Sequence, residues 1–195
     1  MSIVIGLTGP TGSGKSSASK IAGDFGFQVI DCDKSAREAV EKGAPGLKAL
    51  TVAFGSGILM PDGTLDRKAL ASLAFKDRES TELLNKTLLP FVAELVISRT
   101  GNKNTLLDAP TLFESGINRI CTKTVAVLAD REIRLKRIIG RDGLTIKEAN
   151  LRINAGKTDE FYKKNADYII YNNGDEEAFL KKFTEIMKEI TGGNL

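Results

Sequence analysis

Apolar residues at the start of the chain change from a continuous run to helical spacing. Residues 3–8 form a short apolar run before a glycine-rich turn, which is typical of a fully buried strand. In residues 15–25 the apolar side chains recur at intervals of three and four, which predicts an amphipathic helix. Residues 27–31 predict a second strand. The chain therefore begins as strand, loop, helix, strand.

The middle of the chain has a different pattern. From about residue 34 to residue 101 the apolar spacing is mainly helical, and no strong strand is predicted. Loops are expected near residues 43–46 and 55–64. Pro90 is expected to kink or break a long helix over residues 79–99, because proline lacks the backbone donor of a helical residue. This region is predicted to be a helical insertion.

Strands and helices alternate again in the second half of the chain. The further predicted strands are residues 105–108, 124–128 and 168–171. The further predicted helices lie near residues 130–141, 145–155 and 175–190. The apolar face of the last helix is expected to pack in the core. This alternation predicts an α/β fold with a five-stranded parallel sheet flanked by helices.

A glycine-rich segment between the first strand and the first helix carries the strongest motif. It reads Gly9-Pro10-Thr11-Gly12-Ser13-Gly14-Lys15-Ser16 and matches G-x-x-x-x-G-K-[ST]. Backbone N–H groups of such a loop surround phosphate oxygens, and the helix that follows adds its positive end. The residues expected to bind ATP here are Thr11, Gly12, Ser13, Gly14, Lys15, Ser16 and Ser17. Lys15 is also expected to act in catalysis and Ser16 to bind Mg²⁺.

The motifs of a GTPase switch are absent from the sequence. No aspartate has a glycine three residues later, and residues 102–105 read Asn-Lys-Asn-Thr, without the aspartate that reads guanine. A small phosphotransferase with a helical acceptor-binding insertion is therefore the favoured class. Two alternatives stay open: another small-molecule kinase, with a nucleotide or sugar acid as acceptor, and a nucleotide-dependent binding module without acceptor chemistry.

Two aspartates follow predicted strands at the edge where ligands bind in open α/β sheets. Asp33 follows the second strand and is a candidate base for the acceptor hydroxyl, although it could equally cap the next helix. Asp108 ends the third strand and is a candidate Mg²⁺ ligand through water, with a capping or turn role as the alternative.

Three arginines share one face of the predicted helix near residues 130–141. Arg134, Arg137 and Arg141 are spaced three and four residues apart. Arginines in such a row can neutralise a transferring phosphoryl group, or they can belong to a solvated helix face. We expect Arg134 to be solvated and Arg141, beside an Asp-Gly pair, to be functional.

Composition narrows the chemistry further. The 195 residues include no histidine, which excludes histidine triads and histidine metal sites, and the net charge of +3 does not indicate nucleic-acid binding. Cys32 and Cys121 match no metal spacing and are expected to be reduced thiols. Without a signal peptide or a membrane-length apolar run, a cytoplasmic protein is expected.

Several motifs taken together resemble the dephospho-CoA kinase family, over roughly residues 3–175. The matching segments are residues 5–9, 31–33, 36–37, 54–55, 58–59, 62–67, 84–85, Pro90, 108–110, 112–114, Arg137, 141–143, 166–167, Ile170, Asn172 and Gly174. Leu89, Thr111 and Gly156, the last within the segment Asn154-Ala155-Gly156-Lys157, depart from the residues that are usual in the family.

The resemblance implies a P-loop kinase fold that transfers the ATP γ-phosphate to the ribose 3′-hydroxyl of dephospho-CoA. It implies a core of residues 1–33 and 102–195, a CoA-binding insertion of about 34–101 and a lid of about 137–160. Asp33 matches the family's base, Arg141 a lid arginine, and Asn172 a loop near the adenine, while Arg137 is expected to contact ATP. No nucleic-acid or membrane partner is expected, and the chain is expected to be a monomer or a weak oligomer.

Overall fold

The computed structural model describes residues 2–193, which form two compact units. The first, here called the sheet unit, contains the described parts of Met1–Ile30 and Cys121–Leu195 together with Asn102–Leu112. The second, here called the helical unit, contains Asp31–Gly101 and Phe113–Ile120.

The chain forms five strands and nine α-helices within the described residues. The strands are β1 (Val4–Thr8), β2 (Gln28–Asp31), β3 (Thr105–Asp108), β4 (Lys123–Leu128) and β5 (Tyr168–Tyr171). The helices are α1 (Lys15–Asp24), α2 (Cys32–Glu38), α3 (Pro45–Phe54), α4 (Arg67–Ala74), α5 (Arg78–Thr100), α6 (Arg131–Asp142), α7 (Ile146–Asn154), α8 (Asp159–Asn165) and α9 (Glu176–Thr191).

The strands form one sheet in the order β2-β3-β1-β4-β5. The pairs β1–β3, β1–β4 and β4–β5 are parallel, with Leu7 beside Asp108 on one side and beside Val125 on the other. The first strand therefore lies at the centre of the sheet. The expected five-stranded α/β architecture is confirmed.

Both faces of the sheet are covered. The neighbouring residues Leu106 and Leu107 point to opposite faces of β3, and both are fully buried. One face packs against α1 and α9, where Phe183 and Met187 are also fully buried, as expected for the apolar face of the last helix. Burial on both faces explains why the strands read as apolar runs rather than as alternating patterns.

The helical unit is built around α5, which contacts α2, α3 and α4. Its core contains Val40, Leu47, Leu50 and Ile58. Helix α5 runs from Arg78 to Thr100 with Pro90 inside it, so of the kink or break expected at Pro90 the break is wrong. Proline removes one backbone hydrogen bond, and packing of three helices along α5 stabilises the remaining turns.

Short polar side chains fix the turns of the helical unit. The Asp62 carboxylate accepts hydrogen bonds from the amide and the hydroxyl of Thr64. Asp66 caps α4 by accepting from the Lys68 and Ala69 amides. Two aspartates of the family-like segment at residues 62–67 therefore act on local structure.

Candidate active site

The phosphate loop (residues 9–16) joins the carboxyl end of the central strand β1 to α1. Helix α1 begins at Lys15, directly after Gly14, whose φ is 89°. Gly9 and Gly12 also have positive φ, at 145° and 79°. Since other residues rarely adopt these angles, the three glycines of the loop are required by its backbone path.

Gly9 is also required by close packing. A β-carbon at this position would lie 2.1 Å from the carbonyl oxygen of Val127, in the neighbouring strand β4. The beginning of the loop is therefore pressed against the sheet, with no room for a side chain.

Replacing Gly9 with alanine is expected to lower the free energy of unfolding by about 2–6 kcal/mol. Overpacking costs about 1–3 kcal/mol and the unfavourable backbone angle about 1–3 kcal/mol. Chemical denaturation measures the change. The matched control is Gly26→Ala, since Gly26 also has a positive φ of 78° but a β-carbon there would meet nothing within 4 Å. Equal losses in the two variants would contradict the packing argument.

Hydrogen-bond donors hold the carbonyl groups of the phosphate loop. Five consecutive carbonyls accept bonds: those of Gly9 from Lys15 Nζ, of Pro10 from the Ser13 amide, of Thr11 from Arg134 Nε, and of Gly12 and Ser13 from Arg137 Nη1. The five distances lie between 2.9 and 3.4 Å. The peptide planes of the loop are thus oriented by the protein itself.

Oriented peptide planes give the loop its anion-binding character. The C=O and N–H of a trans peptide group point in opposite directions, so a carbonyl that is held on one side directs the next amide to the other. Amides of successive residues that converge in this way, beside the positive end of a helix, bind phosphate groups. The geometry of the loop therefore suits a polyphosphate ligand.

Lys15 and Ser16 occupy the first turn of α1. The Lys15 ammonium group donates to the Gly9 carbonyl oxygen at 2.9 Å, so its side chain reaches back along the loop. Ser16 is exposed, and the Ser17 amide donates to the Gly14 carbonyl at 3.1 Å. The structure thus brings these sequence-predicted residues together at one end of the helix.

Asp108 lies at the end of β3 and contacts α1. Its Oδ2 accepts a hydrogen bond of 2.8 Å from the hydroxyl of Ser19. Ser19 is one helical turn beyond Ser16, so Asp108 contacts the side of α1 on which Ser16 also lies. Ser19 was not predicted as a site residue from the sequence, although its spacing of three from Ser16 was the available sign.

The oxygen-bearing side chains of Ser16 and Asp108 are of the kind that binds Mg²⁺. The ion prefers oxygen ligands, and it is commonly held by one or two protein oxygens together with water and substrate phosphates. A hydroxyl and a carboxylate match this pattern. Among residues 2–193, no group of three or more acidic, cysteine or histidine side chains could hold a metal without such help.

Arg137 and Asn172 contact each other beside the loop. Arg137 Nη2 donates to Asn172 Oδ1 at 3.1 Å, while its Nη1 binds the loop carbonyls. Asn172 is buried, and its amide nitrogen would lie 2.3 Å from a β-carbon at Gly14. Both residues predicted to bind the nucleotide therefore adjoin the phosphate loop.

Arg134 is buried, so its expected solvated position is wrong. It is only 5% exposed, and its Nε donates to the Thr11 carbonyl at 3.0 Å. Burial lowers the pKa of its guanidinium, which nevertheless stays charged at neutral pH. Fully buried Ile138 lies one turn further along α6, and this spacing of four was the available sign that Arg134 faces inward.

Arg141 lies at the exposed C-terminal turn of α6. Its Nε and Nη2 donate to the two carboxylate oxygens of Asp142 at 2.7 and 2.8 Å. Asp142 also accepts from Arg152 Nη1 at 2.7 Å. The hydrogen bonds from Arg141 hold the pKa of Asp142 below its ordinary value. The arginine expected at the phosphates is thus paired with a neighbouring carboxylate in this structure.

In the helical unit, Asp33 occupies the first turn of α2. The residue that caps this helix is Asp31, whose carboxylate accepts from the Lys34 amide at 2.9 Å. Asp33 is exposed, and its carbonyl oxygen accepts from Arg37 Nε at 3.3 Å. The capping role weighed for Asp33 therefore belongs to its neighbour.

Cys32 and Cys121 are both thiols, and burial raises the pKa of Cys121 to about 12, so it is not a nucleophile at neutral pH. None of the helices within residues 2–193 has the length and apolar character needed to span a membrane.

Comparison with known proteins identifies the family. The family model described as dephospho-CoA kinase matches residues 3–177. Dephospho-CoA kinases of Geobacillus kaustophilus and Corynebacterium glutamicum are 36% and 40% identical, over 97% and 95% of this chain and 97% and 96% of theirs. A solved dephospho-CoA kinase from Campylobacter jejuni is 27% identical, with a TM-score of 0.65 and all of both chains covered. The chain therefore belongs to the dephospho-CoA kinase family and is an ATP-dependent kinase with the P-loop kinase fold.

Proposed function

We propose that this chain transfers the γ-phosphoryl group of ATP to the ribose 3′-hydroxyl of dephospho-CoA, which gives CoA and ADP in the last step of CoA biosynthesis. The observation that carries the proposal is the phosphate loop, whose carbonyls are held so that its amides can receive a polyphosphate. Family membership supplies the acceptor.

The ATP phosphates would be bound by residues 11–17. The loop amides and the start of α1 carry partial positive charge, and Lys15 adds a full charge. These groups stabilise the negative charge that shifts onto the β-phosphate as the bond to the γ-phosphorus breaks. Their contribution is mainly electrostatic, since phosphoryl transfer needs little covalent chemistry from the protein.

Mg²⁺ is part of the proposal, with Ser16 as a direct ligand and Asp108 as a partner through water. When bound, the ion neutralises charge on the β- and γ-phosphates. The hydrogen bond from Ser19 to Asp108 supports this role, because it fixes the carboxylate beside α1.

Asp33 is proposed to orient the 3′-hydroxyl and to accept its proton as the oxygen bonds to the γ-phosphorus. The Asp33 side chain is exposed and Asp31 rather than Asp33 caps α2, and both features support this role. Arg141 is proposed to stabilise the transferring group. Its pairing with Asp142 would exchange for phosphate when ATP binds, since the polyphosphate carries the larger charge.

We also propose a division of the chain into an acceptor-binding insertion and a lid. The helical insertion, about residues 34–101, would bind the acceptor, and residues 137–160 would form the lid. Arg137 and Asn172 would adjoin the bound nucleotide. We expect a monomer or weak oligomer in the cytoplasm without a nucleic-acid partner, and the two cysteine thiols support this compartment.

An acceptor panel tests the proposed reaction. ADP release is measured with ATP and Mg²⁺ in the presence of dephospho-CoA, nucleoside monophosphates, shikimate or no acceptor. ADP release that depends on dephospho-CoA, with kcat/KM at least about 10²-fold above that for other acceptors, is expected, because a site built for one acceptor leaves polar groups unpaired with others. Preference for a nucleoside monophosphate, or ATP binding without ADP release, would overturn the proposal in favour of one of the two alternatives above.

A further inference from the structure

We propose that Arg134 is a positioning residue of the ATP site, which holds the peptide group between Thr11 and Gly12 so that its N–H faces the phosphates. The inference rests on the proposed function in one respect, the assignment of the phosphate loop to ATP. It concerns a residue of α6 that lies outside the loop motif.

The contact between Arg134 and the loop involves side chain and backbone. Arg134 Nε donates to the Thr11 carbonyl at 3.0 Å. A β-carbon at Gly12 would lie 2.8 Å from the Arg134 carbonyl oxygen and 3.1 Å from its α-carbon. Helix α6 therefore packs directly against the loop at this point, and the orientation of the Thr11 carbonyl follows from the position of the guanidinium.

Ion pairing does not explain why the Arg134 guanidinium is buried. Asp159 Oδ1 lies 3.5 Å from Nη1, and the Asp159 side chain is 35% exposed. Arg134 Nη2 is buried without a hydrogen-bond partner in the described part of the chain. A buried cation with so few partners contributes little to stability. Its charge lies instead against the loop assigned to an anionic ligand, where a positive potential favours binding.

Arg134 and Arg137 bind different carbonyl groups of the phosphate loop. Arg134 holds the Thr11 carbonyl, and Arg137 holds those of Gly12 and Ser13. The anchored carbonyls of Thr11 and Ser13 direct the amides of Gly12 and Gly14 to the opposite side of their peptide planes, whereas the Ser13 amide donates to the Pro10 carbonyl within the loop. Loss of Arg134 would release one peptide group of the row and leave the rest in place, so the defect should be specific to phosphate recognition.

The test measures nucleotide affinity in three variants. Arg134→Met removes both donor and charge but keeps an unbranched stem, and Arg134→Lys keeps the charge and one donor group. Arg131→Met is the matched control, because Arg131 is exposed and lies one turn away on the same helix. Calorimetry gives the Kd of ADP and of adenosine, and thermal unfolding is followed in parallel.

We expect Arg134→Met to raise the Kd of ADP at least about tenfold, the loss typical of one charge-assisted hydrogen bond, with adenosine binding unchanged. Arg134→Lys should stay within about threefold of the wild type and Arg131→Met within about twofold, since each keeps the relevant charge at the loop. Equal loss of ADP and adenosine affinity, or an unchanged Kd of ADP in Arg134→Met, would overturn the inference. A wild-type protein that binds no ADP would instead refute the proposed function.

Discussion

Replacing Asp33 with asparagine is expected to lower kcat by roughly 10²–10⁴-fold, the usual contribution of a positioned general base. Asparagine has the same shape but cannot accept the proton of the 3′-hydroxyl. The affinity for ATP should stay within about threefold, because the nucleotide is assigned to the phosphate loop. Steady-state ADP release gives kcat, and calorimetry gives the Kd of ATP.

Asp31→Asn is the matched control for this experiment. It makes the same substitution two residues earlier, at the cap of α2, where asparagine is as good a capping residue as aspartate. We expect kcat and stability close to those of the wild type. Near-normal kcat in Asp33→Asn would remove Asp33 from the mechanism, and a similar loss in both variants would point to damage of the α2 N-terminus.

Replacing Lys15 with methionine is expected to lower kcat/KM for ATP by roughly 10²–10³-fold, the cost of removing one donor that stabilises developing charge. Methionine keeps the length of the stem but has no ammonium group. The KM for dephospho-CoA should change little. The hydrogen bond to the Gly9 carbonyl is also lost, so thermal unfolding is measured in the same preparation.

Lys20→Met provides the control, because Lys20 is exposed on α1 and outside the loop motif. Its kinetic constants should match those of the wild type. The two largest effects then have opposite signatures, since Lys15→Met weakens the use of ATP while Asp33→Asn spares ATP binding. If Lys15→Met kept a normal kcat/KM for ATP, the assignment of this lysine to the phosphates would be wrong.

The arginines of α6 show how one helix serves the site in two ways. Arg134 and Arg137 bind loop carbonyls, whereas Arg141 is exposed and paired with Asp142. The guanidinium groups of Arg134 and Arg137 are held by their hydrogen bonds to the loop carbonyls, so these two residues suit a positioning role. Arg141 can exchange one anion for another, which suits a group that acts only when ATP is bound.

Some features could be predicted from sequence because they depend on residues close together in the chain. The phosphate loop is one example, because glycines at positions 9, 12 and 14 are followed directly by Lys15 and an amphipathic helix. This pattern predicts the loop without reference to distant segments of the chain. The five strands were also predictable, since burial on both faces leaves continuous apolar runs. The acceptor came only from family resemblance, because no local pattern encodes it.

What the sequence alone determined was therefore the phosphate loop, the alternating strands and helices, and the family. The tertiary structure decided which polar residues face which partner. In the structure Arg134 is buried against Thr11, and Asp31 rather than Asp33 caps α2. Helix α5 continues through Pro90. The physical reason is that the burial of Arg134 and the continuity of α5 depend on packing against segments distant in the chain. The capping of α2 depends on which of two nearby aspartates accepts the hydrogen bond from the helix. Helical spacing of arginines reports which side chains share a face, but only packing decides whether that face meets water or the loop.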